Sequence, residues 1–416
     1  MNVAIVSYFA PPQPAVASHR VLRMTRALLD AGHGVHWVTL DPKGLDKTDA
    51  TLAAVTPAAV VVHGLGRVNL VDREAKGLWE KVLRTAIFKL PDWFAVLDRH
   101  VEWSWTLQRK LPRLVKEQKI DVVLLCCGPH GQLVAVDALR KHCPNVRIVV
   151  DYRDLLSGNT WRQSKSTRLR DRVLARERRI LSRVDALFLN NADAKRSFDE
   201  RMGGIDGLNV QVMRNTADYA LGEQIVALSA LPDFGPGVHL GFFGTIFPRR
   251  RMLPVLQAMA EIEAGVLAKI TAHVFCDSGP SLALLKEDLA KIRPEVAERV
   301  RAHDLLGYGD ALRAMRAMDV LLLVNSPEPA DQIFVPGKLY DYLMARRPVL
   351  FLGEMGDAWR IVAETSGEDW CFTHAQSSAV AKQLAAVATT RPPALSESPA
   401  HRPATSFAPL LEFLRR

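Results

Sequence analysis

Short apolar runs alternate along the chain with longer stretches in which apolar residues recur every three or four positions. "VAIVSY" (3–8) predicts a strand, and "SHRVLRMTRALLDAGH" (18–33) a helix with Ser18 as its N-cap and Gly32 near its stop. "GVHWVTL" (34–40), "DVVLLCCG" (121–128), "VRIVVD" (146–151), "ALFLN" (186–190) and "VQVMRN" (210–215) predict further strands, with helical stretches between them. Strands that are apolar throughout are covered on both faces, which is the signature of a parallel sheet between helices.

The pattern breaks at "ALSALPDFGPG" (227–237), a Pro/Gly-punctuated linker, and then starts again. "VHLGFFG" (238–244), "AKITAHVFC" (268–276), "VRAHDLL" (300–306), "DVLLLVNS" (319–326) and "PVLFLG" (348–353) are the strands of this second set. The expectation is an α/β chain of two doubly wound, Rossmann-like domains facing across a cleft. Residues 1–226 form the first and 238–390 the second, and a Pro-rich tail and terminal helix over 391–416 pack back on the first. In such sheets ligands bind beyond the carboxyl ends of the strands.

Length and composition agree with this division, since 416 residues exceed one ordinary core and nearly half are hydrophobic. No apolar run approaches the ~20 residues of a membrane span. The start, "MNVAIVSYFAPP", lacks the basic and then longer apolar regions of a signal peptide, so a cytoplasmic protein is expected. The five cysteines are scattered, without C-x-x-C, and read as reduced core residues. The net charge of +9 is partly local: residues 153–183 hold ten Lys or Arg against three Asp or Glu. Residues 73–116 carry Trp79, Trp93, Trp103 and Trp105 among basic residues. Both stretches suit ordinary solvated or packed helices, and both also suit an anionic membrane surface. Nothing resembling a nucleic-acid motif accompanies the charge, so nucleic acid is not expected as a partner.

Four stretches are candidates to carry chemistry. In "FVPGKLYDYLMARRPVLFLG" (334–353), Lys338 occupies the first turn of a helix, where the backbone already presents positive charge. A phosphate arriving there would neutralise both, with Gly337 allowing close approach and Asp341 one turn deeper. In "LGFFGTIFPRRRMLP", Gly244 and Thr245 end a strand, and Arg249, Arg250 and Arg251 follow in a loop suited to a diphosphate. In the first half, "CCGPHGQL" and "DYRDLLSGNTW" bring His130, Arg153 and Asp154 to one cleft edge. The Pro-rich loop 9–20, with Pro12, Ser18 and Arg20, lacks G-x-G-x-x-G, so an ordinary dinucleotide fingerprint is not supported. D-x-D, H-E-x-x-H and Walker patterns do not occur, so no metal site or cofactor is expected.

These residues resemble the GT-B glycosyltransferases, specifically the family 4-like group. The likeness runs through "VSYFAPP", "DVVLLCCGPH", "VVDYRDLLSGNTW", "VMRNTAD", "GTIFPRR" and, most specifically, "PGKLYDYLMARRPVL". It implies a retaining transfer from a nucleotide-diphosphate sugar, with UDP or GDP expected, and an acceptor entering over the first half near Pro12, Ser18 and Arg20; the basic and Trp-rich stretches fit a glycan or lipid-linked envelope acceptor at the inner face of the membrane. It implies that Lys338 with Arg250 or Arg251 clamps the diphosphate, that Asp341 contacts the ribose, and that Asn215 opens the family's Asn-Gly-x-Asp turn. Where that family has an acid eight residues before the ribose acid, this chain has Ile333. Two other readings of the same fold are a sugar-nucleotide epimerase or hydrolase and a non-catalytic nucleotide-sugar-binding protein.

Overall fold

The structure is a computed structural model that describes residues 1–73, 75, 77–89 (88–89 as backbone only), 97–159 and 166–416. Trp93 and part of the basic stretch lie outside the described residues. The chain divides into two compact units, Met1–Asn215 with Pro403–Arg416, and Thr216–Arg402.

The first unit holds a seven-stranded parallel sheet in the order β3-β2-β1-β4-β5-β6-β7. Its strands are β1 Asn2–Val6, β2 Gly34–Leu40, β3 Val61–Gly66, β4 Val122–Cys127, β5 Arg147–Tyr152, β6 Ala186–Leu189 and β7 Asn209–Val212. The fully buried "VVLLCC" of β4 is the centre, as its uninterrupted apolar run requires. Strand order reverses between β1 and β4, so the loops after these two strands border the crevice that the topology opens. The helix after β1 runs Val16–Asp30 with Ala15 at the N-cap, and Ser18 is buried in its first turn rather than capping it. The C-terminal helix Ala408–Arg415 is part of this unit, with Phe407, Leu410 and Leu414 in the core against β1, β4 and the Val16–Asp30 helix.

The second unit holds a six-stranded parallel sheet, β10-β9-β8-β11-β12-β13. Its strands are β8 Val238–Phe243, β9 Ile270–Phe275, β10 Val300–His303, β11 Val320–Val324, β12 Val349–Leu352 and β13 Cys371–Phe372. Here the reversal falls between β8 and β11. The boundary expected at 226 moves back to 215. The reason is the helix Tyr219–Val226, whose Leu221 and Ile225 are buried and which packs on the helices Tyr308–Ala317 and Lys338–Ala345 of the second unit. All five cysteines are free and buried.

Candidate functional site

The second unit's site is built where β8 and β11 part. Their pairing reaches only Leu321 with Gly241. Beyond that point the Lys338 helix enters between them. Tyr342 Oη accepts the Phe243 N–H at 3.1 Å and donates to the Leu322 carbonyl at 3.2 Å, bridging the two strands. One turn earlier, Lys338 Nζ donates to the Phe243 carbonyl at 2.9 Å and lies 3.9 Å from the centroid of the Phe242 ring. A single residue of β8 is thus held through both its backbone groups by side chains four apart on one helix.

Gly244 follows at φ 109°, a conformation that side chains rarely adopt, and a Cβ there would stand 3.9 Å from Lys338 Nζ. Lys338 is half-buried as a residue, but its ammonium is enclosed by this carbonyl, ring and glycine. Burial pulls its pKa down to about 7, and the nearby Arg250 guanidinium adds to the shift. The helix start has no side-chain cap, and within its first turn the Leu339 and Tyr340 N–H groups bond the Pro336 and Gly337 carbonyls. The arrangement is a cationic pocket at a strand end, and a bound anion would relieve it.

The three consecutive arginines go three ways. Arg249 pairs with buried Asp331 at 3.6 Å. Arg251, expected in the diphosphate clamp, instead grips Asp288 through Nε and Nη2 (2.7 Å) and also bonds Glu287 and the Leu284 carbonyl, so it holds the loop to the helix Pro280–Leu289. Arg250, at the turn where its N–H bonds the Phe247 carbonyl, is the arginine whose charge is felt at Lys338. Thr245 is exposed. Asp341 is buried and accepts the Tyr308 hydroxyl at 3.2 Å.

In the first unit, His130 is buried and its Nε2 donates to the Asp154 carbonyl at 2.9 Å, with its ring edge-on to Tyr152. The Arg153 guanidinium lies 3.5 Å from where a Cβ on Gly128 would be, so the ends of β4 and β5 bring all three residues together. Asn215, the last residue before the chain leaves this unit, is also buried. Pro12 is half-buried, with its carbonyl accepting the Asp49 N–H at 2.7 Å. Arg20, expected on the acceptor side, is instead 2% exposed. It forms a two-point ion pair with Asp151 (2.8 and 2.7 Å), bonds the Met213 and Arg214 carbonyls, and lies over Phe407. It is a strut.

A second cluster was not anticipated. Tyr8 donates to Asp72 at 2.6 Å, and His100 lies between Asp72 (3.0 Å) and Asp98 (3.5 Å). Asp98 also accepts the Gly131 N–H, tying this network to the loop that carries His130. Burial opposes charge on His100, but hydrogen bonds to the two aspartates outweigh it and push its pKa up to about 9. Tyr8, Asp72 and Trp103 line a broad groove with Phe9, Asp41, Lys43 and Arg67. The only trace in the sequence was Trp103 within the Trp-rich stretch.

Residues 17–221 match the model for Glycosyltransferase Family 4. No curated protein matches the chain in sequence. Among solved structures, an alpha,alpha-trehalose-phosphate synthase (UDP-forming) from Burkholderia xenovorans, in complex with glucose-6-phosphate, aligns with TM-score 0.63 at 14% identity over 100% of both chains. Sucrose-phosphate synthase from Thermosynechococcus elongatus aligns at 0.59 and 13% identity, over 100% of this chain and 98% of that one. HepE from Anabaena, in complex with UDP, aligns at 0.57 and 15% identity over 100% of both. With the Glycosyltransferase Family 4 match over residues 17–221 and the fold shared over the whole chain, the chain has the GT-B fold and its first half is similar to the family 4 glycosyltransferases.

Proposed function

We propose that this glycosyltransferase moves a hexose, with retention and without a metal ion, from a nucleotide-diphosphate sugar to a glycan or lipid-linked acceptor of the cell envelope. The observation that carries the reading is the enclosed Lys338 ammonium, set against Gly244 and Arg250 at an uncapped helix start. Charge developing on a leaving diphosphate would meet fixed donors there, which need no reorganisation as the bond breaks. UDP is the first base to test, because one similar structure is UDP-forming and another holds UDP. Asp341 remains the candidate ribose contact, and His130, Arg153 and Asp154 are the candidate catalytic edge. The groove lined by Tyr8, Phe9, Trp103, Asp41 and Asp72 offers ring faces and carboxylates, a lining that suits sugar rings and hydroxyls.

A thermal-shift panel of UDP, GDP, ADP and CMP with their sugars tests the donor, since a ligand that binds only the folded state raises its melting temperature. One diphosphate series should raise it, and Lys338→Ala should abolish both that rise and sugar transfer while leaving the circular dichroism spectrum unchanged. Transfer at the native rate in Lys338→Ala would overturn the proposal.

A further inference from the structure

A polar chain crosses the first unit from its groove to the loop that carries His130, and every member of it belongs to that unit. At the groove end Tyr8 accepts the Asn69 N–H at 2.9 Å and donates to Asp72 Oδ2 at 2.6 Å. His100 Nε2 donates to the same Asp72 oxygen at 3.0 Å, and its Nδ1 lies 3.5 Å from Asp98 Oδ1. Asp98 Oδ1 accepts the His100 N–H at 2.8 Å, and its Oδ2 accepts the Gly131 N–H at 2.5 Å. The sequence makes room for this last contact. A Cβ on Gly131 would stand 2.7 Å from Asp98 Oδ1 and 2.5 Å from Ser104 Oγ, so glycine lets the carboxylate reach the backbone next to His130.

Two acids flank one imidazole. A carboxylate can only accept, so His100 faces both with a hydrogen on each ring nitrogen, which is its cationic form. The titratable groups around it are Asp72, from the segment after β3, Tyr8, from the loop after β1, and Asp98, from the turn ahead of the helix Val101–Glu117; Glu102 of that helix acts in turn on Tyr8. Burial, then Asp72, push the Tyr8 pKa well up. Burial works against charge on Asp72 and Asp98, and the hydrogen bonds from His100 more than offset it, holding both below the usual carboxylate range. His100 is therefore the member whose charge changes as pH rises through about 9. The bridge is complete below that pH. Above it the imidazole has one hydrogen for two acceptors, and one link is lost.

We infer that His100 is a positioning residue for the proposed transfer: bridging Asp72 of the groove and Asp98 behind Gly131, it fixes the His130 loop relative to an acceptor lying in the groove. The inference rests on the proposed roles of that groove and loop, so one arm of its test needs no substrate. Hydrogen exchange of the full chain is compared with that of His100→Gln, which cannot carry the charge. Exchange across residues 128–134 should speed up about tenfold at neutral pH, while β4 keeps its protection. Transfer is then followed against pH at saturating donor and acceptor. The native kcat should fall as pH rises through about 9. In His100→Gln, kcat at neutral pH should drop about tenfold with the donor KM unchanged, and the fall near pH 9 should be absent. A role in packing alone would lower the melting temperature and leave that fall in place. Native-like exchange over 128–134 in His100→Gln, or an alkaline fall that persists there, would overturn the inference. If His100→Gln does not fold, Asp98→Asn decides. It keeps an oxygen for the Gly131 N–H but removes one of the two charges that hold the His100 proton, so the fall should move to lower pH, and an unmoved fall refutes the bridge. A native chain that transfers nothing would refute the proposed function alone, and the exchange arm would still decide whether His100 holds the loop.

Discussion

Lys338 shows what a single position reveals and what it hides. Its placement after Pro336-Gly337 could be read as an anion site because a cation is otherwise disfavoured at a helix start. That reading could not find Tyr342, whose hydroxyl bridges the parted strands, because a tyrosine on the buried face looks like packing. Nor could it sort the arginines, which are chemically identical in sequence and are told apart only by distant Asp331 and Asp288. The lysine yields a protonation prediction. With a pKa of about 7 in the free protein, it is largely neutral at pH 8. A diphosphate beside it favours the charged form, so the bound state holds more protons than the free one. Calorimetric titration with UDP at pH 8 should therefore show proton uptake, seen as a binding enthalpy that changes with the buffer's ionisation enthalpy. The uptake should vanish in Lys338→Met, and native-like uptake in that variant would assign the proton elsewhere. Arg20 gives a stability prediction. Arg20→Ala leaves Asp151 buried without its partner, which typically costs about 3–5 kcal/mol. Urea unfolding should show a loss of that order, and a loss below about 1 kcal/mol would mean that Asp151 is satisfied without the arginine.

At the scale of elements, most strands were legible, the edge strands β7 and β10 among them, but the edge strands β3 and β13 were not. β3, "VVHGLG", carries two glycines, which weaken the pattern of a strand. Those glycines are there for close approach: a Cβ on Gly64 would stand 2.8 Å from Asp41 Cα, and one on Gly66 2.9 Å from the Trp103 ring. β13 is only two residues long, too short for a pattern. Cross-strand neighbours are equally hidden from a linear reading, and β8, β9 and β10 line up three histidines this way. The Gly235 carbonyl can only accept, so His239 Nε2 carries the hydrogen. His239 Nδ1 then accepts from His273 Nε2 at 3.1 Å, and His273 Nδ1 from His303 Nε2 at 2.9 Å. Phe234, from the segment read as a linker, covers the row with its ring centroid 4.6 Å from that of His273. Burial, then His303, His239 and Arg301, hold the His273 pKa down at about 4. The folded state thus binds fewer protons than the unfolded one between about pH 4 and 6.5. The ladder's contribution is complete above pH 6.5 and is lost as pH falls toward 4. Thermal unfolding followed at β9 by hydrogen exchange should weaken across that window, and His273→Gln should flatten the dependence. An unchanged profile in the variant would mean that other groups set it.

At the scale of the whole molecule, the alternation of strand and helix announced two doubly wound units, but the boundary needed tertiary contacts. The Pro/Gly break at 227–237 is conspicuous in sequence, whereas the division after Asn215 lies in "NTAD", with no such punctuation. The chain leaves the first unit there and returns to it at Pro403, so that unit is completed only by the last fourteen residues. Phe407, Leu410 and Leu414 are 0–1% exposed in its core, and Arg20 lies over the Phe407 ring at 5.6 Å. Burying three such side chains contributes on the order of 5–9 kcal/mol, an upper estimate because the unfolded chain already hides some of this surface. A typical domain has only about 5–15 kcal/mol of stability in all. Removing residues 403–416 should therefore unfold or loosen the first unit, while the second, whose core includes none of these side chains, keeps its own. Hydrogen exchange resolved by segment tests this directly. Protection should collapse in β1, β2, β4 and β5 and persist in β8, β9 and β11, and the UDP-induced protection expected around Gly244 and Lys338 should survive the truncation. If protection instead falls equally in both sheets, the two units fold as one cooperative body and the division after Asn215 is not a boundary of stability.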